Sequence, residues 1–257
     1  MMRRLVTGML LSLMLAGCVT TVEPQYDNHE SKKDPAEVNA QLGIEYMRKG
    51  MYEASLEKLK KAIRQNPNLQ LAHVSLGILY ERLGEQDQAA VHYRKAYSIN
   101  DKDPVTLNAY GQYLCRIGKL DEADGMFRTA VKDPLYQYPE LVYTNAGICA
   151  RRRPDAQLAE KYFRQALQRN PKYQPALQEM ARTSFASEQY LATRAYLQRL
   201  QALTTLTPEF LWIGVRAEHA MNNMNAMSSY ALVLKNQYPE AEETQALIEW
   251  ERKLGER

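Results

Sequence analysis

Three cysteines and four histidines are the residues of this chain whose chemistry goes beyond packing and charge. The histidines, His29, His73, His92 and His219, are scattered. A metal site needs convergent ligands, so this spacing specifies neither a metal nor another cofactor. There is no G-x-S-x-G, H-E-x-x-H, P-loop or G-x-G-x-x-G phrase, and with them goes the usual basis for nucleophilic, metal-assisted or nucleotide chemistry. No catalytic residue is assigned, no small-molecule substrate is implied, and an enzyme is the least favoured class. Among the cysteines, Cys18, Cys115 and Cys149, two can form one bridge but three cannot form a disulfide framework. The Arg151-Arg152-Arg153 run offers charge for lipid head groups or a partner carboxylate, or simply a solvated helix end.

The elements around Cys18 define its chemistry. Met1-Met2-Arg3-Arg4 is a basic start, and Leu5 to Leu15 is an apolar run far short of the ~20 residues that span hydrocarbon. The run closes on Leu15-Ala16-Gly17-Cys18, which resembles the bacterial lipobox, where the thiol takes a diacylglyceryl group before cleavage on its amino side. A leader with an incidental cysteine is the alternative. Residues 1–17 are thus expected to be a signal peptide, with Cys18 the lipidated, palmitate-bearing residue. Val19 rather than Asp after the cysteine favours the outer membrane, facing the periplasm. Residues 18–35 are polar and aperiodic, the composition of a flexible tether.

Composition limits the class of the chain beyond the tether. With 45% hydrophobic and 25% charged residues, it is too apolar for disorder and too polar for a polytopic membrane protein. Loss of Arg3 and Arg4 with the leader leaves 31 basic against 30 acidic residues. A balance so near zero leaves no electrostatic footprint for nucleic acid.

Internal repetition decides the fold. Leu42, Gly43, Tyr46, Gly50, Ser55, Leu59, Ala62 and Pro67 are followed 34 residues later by Leu76, Gly77, Tyr80, Gly84, Ala89, Tyr93 and Ala96. The pattern resembles the tetratricopeptide repeat, a helical hairpin with small and large residues at fixed places. Gly111, Gly118, Ala123, Phe127 and Ala130 mark a third unit, and Ala146, Gly147, Ala159, Phe163 and Ala166 a fourth whose turn is Arg153-Pro154-Asp155. A small eighth residue lets the second helix lie close on the first, and an aromatic at place 24 fills the space left. Units five and six are weaker, with Ala181, Tyr190 and Leu197, then Gly214, Ala226 and Tyr230. The expected fold is all-α, a right-handed superhelical solenoid over residues 36–257. Its units fall at about 36–69, 70–103, 104–139, 140–173, 174–206 and 207–240, and a helix over 240–256 caps the open end.

A solenoid is a binding surface, so its concave lining carries the functional expectation. Places 2, 5, 9 and 12 of each first helix are expected to face inward. They give Ala40, Ile44, Met47, Leu71, Val74, Ile78, Val105, Leu141 and Ile148, an apolar wall of the kind that marks a partner site. Superhelical twist and the tether partly covering the wall is the alternative. Gln178, Arg182, Glu218 and His219 are also expected inward, ending the apolar groove before units five and six. A carboxylate clamp needs Lys and Asn where Ala40 and Ile44 stand, so none is encoded.

The Leu15-Ala16-Gly17-Cys18 phrase, the first unit, NAYGQYLCRIGKLDEADGMF and DPLYQYPELVYTNAGICA together resemble the PilF/PilW family of type IV pilus biogenesis lipoproteins over essentially the whole mature chain. The resemblance implies a pilotin: a lipoprotein, monomeric by itself, that binds secretin subunits and promotes their outer-membrane localisation and multimerisation, on which twitching motility depends. A scaffold for barrel assembly or for peptidoglycan hydrolases is the runner-up. Cys115 and Cys149 stand on adjacent first helices, whose axes pack roughly 8–10 Å apart, and an oxidising compartment favours a bridge. Two small buried hydrophobes is the other reading.

Overall fold

The computed structural model describes residues 34–153 and 156–255; Cys18, the leader and most of the tether lie outside them, as do Pro154 and Asp155 of the fourth turn. The described residues form thirteen helices, twelve of them in antiparallel pairs. The pairs are α1 (Pro35–Arg48) with α2 (Tyr52–Gln65), α3 (Gln70–Arg82) with α4 (Gln86–Ile99), and α5 (Pro104–Arg116) with α6 (Leu120–Ala130). They continue with α7 (Pro139–Ala150) and α8 (Ala156–Arg169), α9 (Gln174–Ala186) and α10 (Tyr190–Gln201), and α11 (Pro208–Ala220) and α12 (Met224–Gln237), before α13 (Glu242–Gly255). Each odd-numbered helix from α1 to α9 also packs on the next odd one, and α11 on α13. Stacked hairpins of this kind are a solenoid, with the odd helices as its inner wall.

Local chemistry starts and stops these helices. Asp34 accepts from the Ala36 amide at 2.9 Å and Asp103 from the Thr106 amide at 2.8 Å, each just before a proline whose missing N–H costs a first turn nothing. The first helix of unit two ends at Gly84, φ 81°, a left-handed position that suits glycine. Glu188 and Asn222 adopt φ 57° and 56° at the corresponding turns of units five and six.

Within five of the six hairpins a glycine of the first helix lies against a large residue of the second. A Cβ on Gly43 would lie 2.6 Å from Leu59, on Gly77 2.9 Å from Tyr93, on Gly111 2.8 Å from Phe127 and on Gly214 2.9 Å from Tyr230. The partners are sixteen residues apart each time. In unit five Thr193, at a place small elsewhere, is fully buried and its hydroxyl bonds Ser184 Oγ at 3.1 Å. The polar atom is accommodated because it finds a partner.

Unit six departs from the expected register. Its turn residue Asn222 comes eight residues after Gly214, whereas Gly50, Gly84 and Gly118 come seven after Gly43, Gly77 and Gly111. Counted from the turn, the unit begins at 208, and Val215 and Ala231, both buried, take the eighth and twenty-fourth places with large and small exchanged. The final helix closes the stack with Leu247 fully buried and Trp250 edge-on to Trp212, ring centroids 5.8 Å apart.

Candidate groove on the inner helices

At about 100° per residue, places 2, 9 and 13 of a helix fall within roughly 20° of one line, whereas places 5 and 12 lie some 60–80° round. The structure divides the expected lining accordingly. Leu71, Val105, Leu141 and Ile148 are 38%, 52%, 36% and 39% exposed, and Ile44 and Ile78 are half-buried. Ala40, Met47 and Val74 are buried in the core. These three do not line the groove, because α1 packs on α3 and α3 on α5, and residues on that flank are enclosed by the neighbouring helix.

Between α3 and α5 the wall opens into a cleft of about 390 Å³ lined by Ile78, Glu81, Arg82, Tyr93, Gln112 and Arg116. Its polar side is built as a unit. Arg116 donates from Nε to Glu81 Oε1 at 2.7 Å and from Nη2 to Oε2 at 2.6 Å, and the Tyr93 hydroxyl donates to the same Oε2 at 2.6 Å. Burial, then the Glu81 contact, holds the Tyr93 phenol well above its ordinary range, so the tyrosine stays a donor. The cleft can take an apolar side chain against Ile78 beside a fixed polar edge.

Past unit four the wall becomes ionic. Arg182 reaches Glu209 at 2.6 and 2.7 Å and Glu179 at 2.7 Å, Arg151 also bonds Glu179, and the Arg182 guanidinium lies 4.8 Å over the Phe210 ring. The hydrogen bond from Arg182 holds the Glu209 carboxyl below the usual range. Two residues expected inward are elsewhere. Glu218 is 2% exposed and paired with Arg194 of α10; the one-residue offset of α11 carries it to the place where Tyr80 and Leu114 are buried in other units. His219 stands edge-on to Trp250 at 4.7 Å, beneath the final helix.

The Arg151-Arg152-Arg153 run does not act as one patch. Arg151 goes to Glu179, Arg152 to the carbonyl oxygens of Cys115 and Arg116, and Arg153 to Asp121 at 2.8 Å. Cys115 and Cys149 are brought together in a disulfide with Cα atoms 5.7 Å apart. It ties α5 to α7 where the linker of unit three is longest.

His73, at the fourth place of unit two, is 7% exposed and packs within its hairpin. Its Nε2 lies 3.0 Å from the Pro67 carbonyl and its Nδ1 3.0 Å from His92 Nδ1. A carbonyl only accepts, so Nε2 carries the hydrogen of neutral His73 and His92 donates to Nδ1. Burial, then His73 and Lys60, pushes His92 down to about 4; burial also lowers His73.

Tetratricopeptide-repeat family models match residues 43–84, 72–103 and 109–174. The type IV pilus assembly protein PilF of Pseudomonas aeruginosa is 27% identical over 231 residues, covering 90% of this chain and 92% of that one. The crystal structure of PilW, described as a widely conserved type IV pilus biogenesis factor, superposes with a TM-score of 0.75 at 29% identity, over 83% of this chain and 98% of PilW. The chain is a tetratricopeptide-repeat protein similar to PilF and PilW over nearly its whole length. A solved structure of Pseudomonas aeruginosa PilF agrees, with a TM-score of 0.74 at 26% identity over 85% and 98% of the two chains. Coverage this complete means that the PilF/PilW match extends beyond unit four, where the side-chain signature is weakest.

Proposed function

We propose that this chain is a pilotin: a lipoprotein anchored through Cys18 in the outer membrane, which binds type IV pilus secretin subunits in its inner groove and promotes their localisation and multimerisation. The observation that carries the reading is the near full-length likeness to PilF and PilW, two proteins described by their roles in making type IV pili. The groove supports it. Leu71, Val105 and Ile148 are exposed on consecutive inner helices, and an apolar row of this kind is suited to a partner segment.

Deletion of the chain tests the proposal. Secretin multimers in the outer-membrane fraction should fall, and twitching motility should be lost while envelope permeability stays normal. A leaky envelope with normal secretin multimers would point to barrel assembly, and altered peptidoglycan turnover to a hydrolase scaffold.

A further inference from the structure

Place 13 of the inner helix is arginine in four consecutive units: Arg48, Arg82, Arg116 and Arg152. All four are exposed. Three of them reach back over the end of the preceding inner helix: Arg82 donates to the Met47 carbonyl at 3.4 Å, Arg116 to Glu81, and Arg152 to the carbonyls of Cys115 and Arg116. The cations therefore run in a row along one edge of the groove. Arg82 and Arg116 share the cleft with Ile78.

Neutralisation along the row is uneven. Arg48 pairs with Glu45 at 2.7 Å and Arg116 with Glu81. Among the described residues Arg82 and Arg152 have carbonyl partners but no carboxylate. A cation beside helix-end carbonyls offsets the dipole there, yet one donor suffices for that and a guanidinium carries five. Two full charges thus remain at the edge of an apolar floor.

From this we infer that the groove selects an extended partner segment that carries acidic residues about six positions apart with apolar residues between them. Adjacent inner helices stand roughly 8–10 Å apart, and an extended chain advances about 3.3 Å per residue. A segment crossing the wall therefore meets the unpaired Arg82 and Arg152, two inner-helix steps apart, with acids about six residues apart on one face of the chain, while its apolar side chains meet the Ile44, Ile78 and Ile148 row. The inference rests on the groove being the partner site, as proposed above.

The test uses the full-length chain and two synthetic peptides, four repeats of Ile-Ser-Asp and the same peptide with Asn for Asp, titrated by NMR, beside purified cognate secretin. The Asp peptide should bind the wild type, weaken as salt rises, and bind the Arg82→Gln/Arg152→Gln variant about five- to tenfold less tightly, the sum of two exposed ion pairs. The Arg82→Lys/Arg152→Lys variant should keep binding within about threefold, because charge is conserved while helix-end bonding is altered. Equal binding of the Asn peptide, no binding of either peptide, or undiminished binding by a folded Gln variant would overturn the inference. If secretin binds the wild type and the Gln variant equally, the arginine row is not its determinant and the pilotin reading stands. If secretin does not bind but the Asp peptide does, in an arginine-dependent way, the partner assignment fails and the selectivity stands.

Discussion

Gly147 and Phe163 share a space that admits only one of them in full: a Cβ added to the glycine would lie 2.4 Å from the phenyl Cε1. Phe163 is fully buried and a rigid ring cannot withdraw as a flexible side chain can. Gly147→Ala is therefore expected to lower stability by about 1–3 kcal/mol, the usual cost of overpacking. Gly43→Ala should cost less, because the two nearest atoms it meets belong to Leu59, which can change rotamer, while the Ser55 carbonyl oxygen stands farther off at 3.2 Å. Urea unfolding of both variants checks the order.

Ile78→Asp puts a charge on the floor of the cleft between α3 and α5. An unpaired carboxylate covered by an apolar partner costs several kcal/mol, of the order of 2–5, while in the free protein this half-buried site stays in reach of water. Secretin binding should be lost with the circular dichroism spectrum unchanged. A folded variant that still assembles secretin multimers would move the partner to another surface.

Full-length protein carrying Cys18→Ala, made in an oxidising compartment and denatured without reductant, should show no free thiol, because Cys115 and Cys149 are joined. Removing the bridge as Cys115→Ala/Cys149→Ala should cost about 2–4 kcal/mol, since the two lie 34 residues apart and the unfolded loop becomes freer. Two titratable thiols in the parent, or equal melting of the two forms, would contradict this.

The His73–His92 contact predicts a pH dependence. His92 binds its proton at about 4 when folded and near 6.5 when unfolded, so the unfolded chain holds more protons between these values. Its stabilising contribution is complete above about pH 6.5 and declines as pH falls toward 4. The loss should reach about 1–2 kcal/mol, after allowing for solvent screening. His92→Phe should flatten this part of the stability profile, measured by urea unfolding from pH 7.5 to 4.5.

Cys18→Ala should release the chain from the outer membrane without unfolding it, because the cysteine precedes every repeat and is joined to them by polar chain. Fractionation and circular dichroism report the two properties separately. Wild-type levels of the variant in the outer-membrane fraction of cells lacking the secretin would argue against lipidation.

The repeating architecture is legible in the order of residues alone, because the contacts that define it are local: the glycine, alanine and aromatic places interlock within one hairpin and recur on a 34-residue period. The longer phrases also carry the likeness to PilF and PilW. The lining of the groove was legible only in part. Leu71 and Ile148 could be read by counting places, but whether Ala40, Met47 and Val74 face a ligand or a neighbour depends on how far each inner helix turns toward the next. The same holds for Glu218, whose burial follows from one extra residue before the turn at Asn222. The arginines at place 13 are regular in sequence, yet as single exposed cations they carry no signal. Stacking of the hairpins turned them into a row, because it is the superhelix that brings residues 34 or 36 positions apart to one edge.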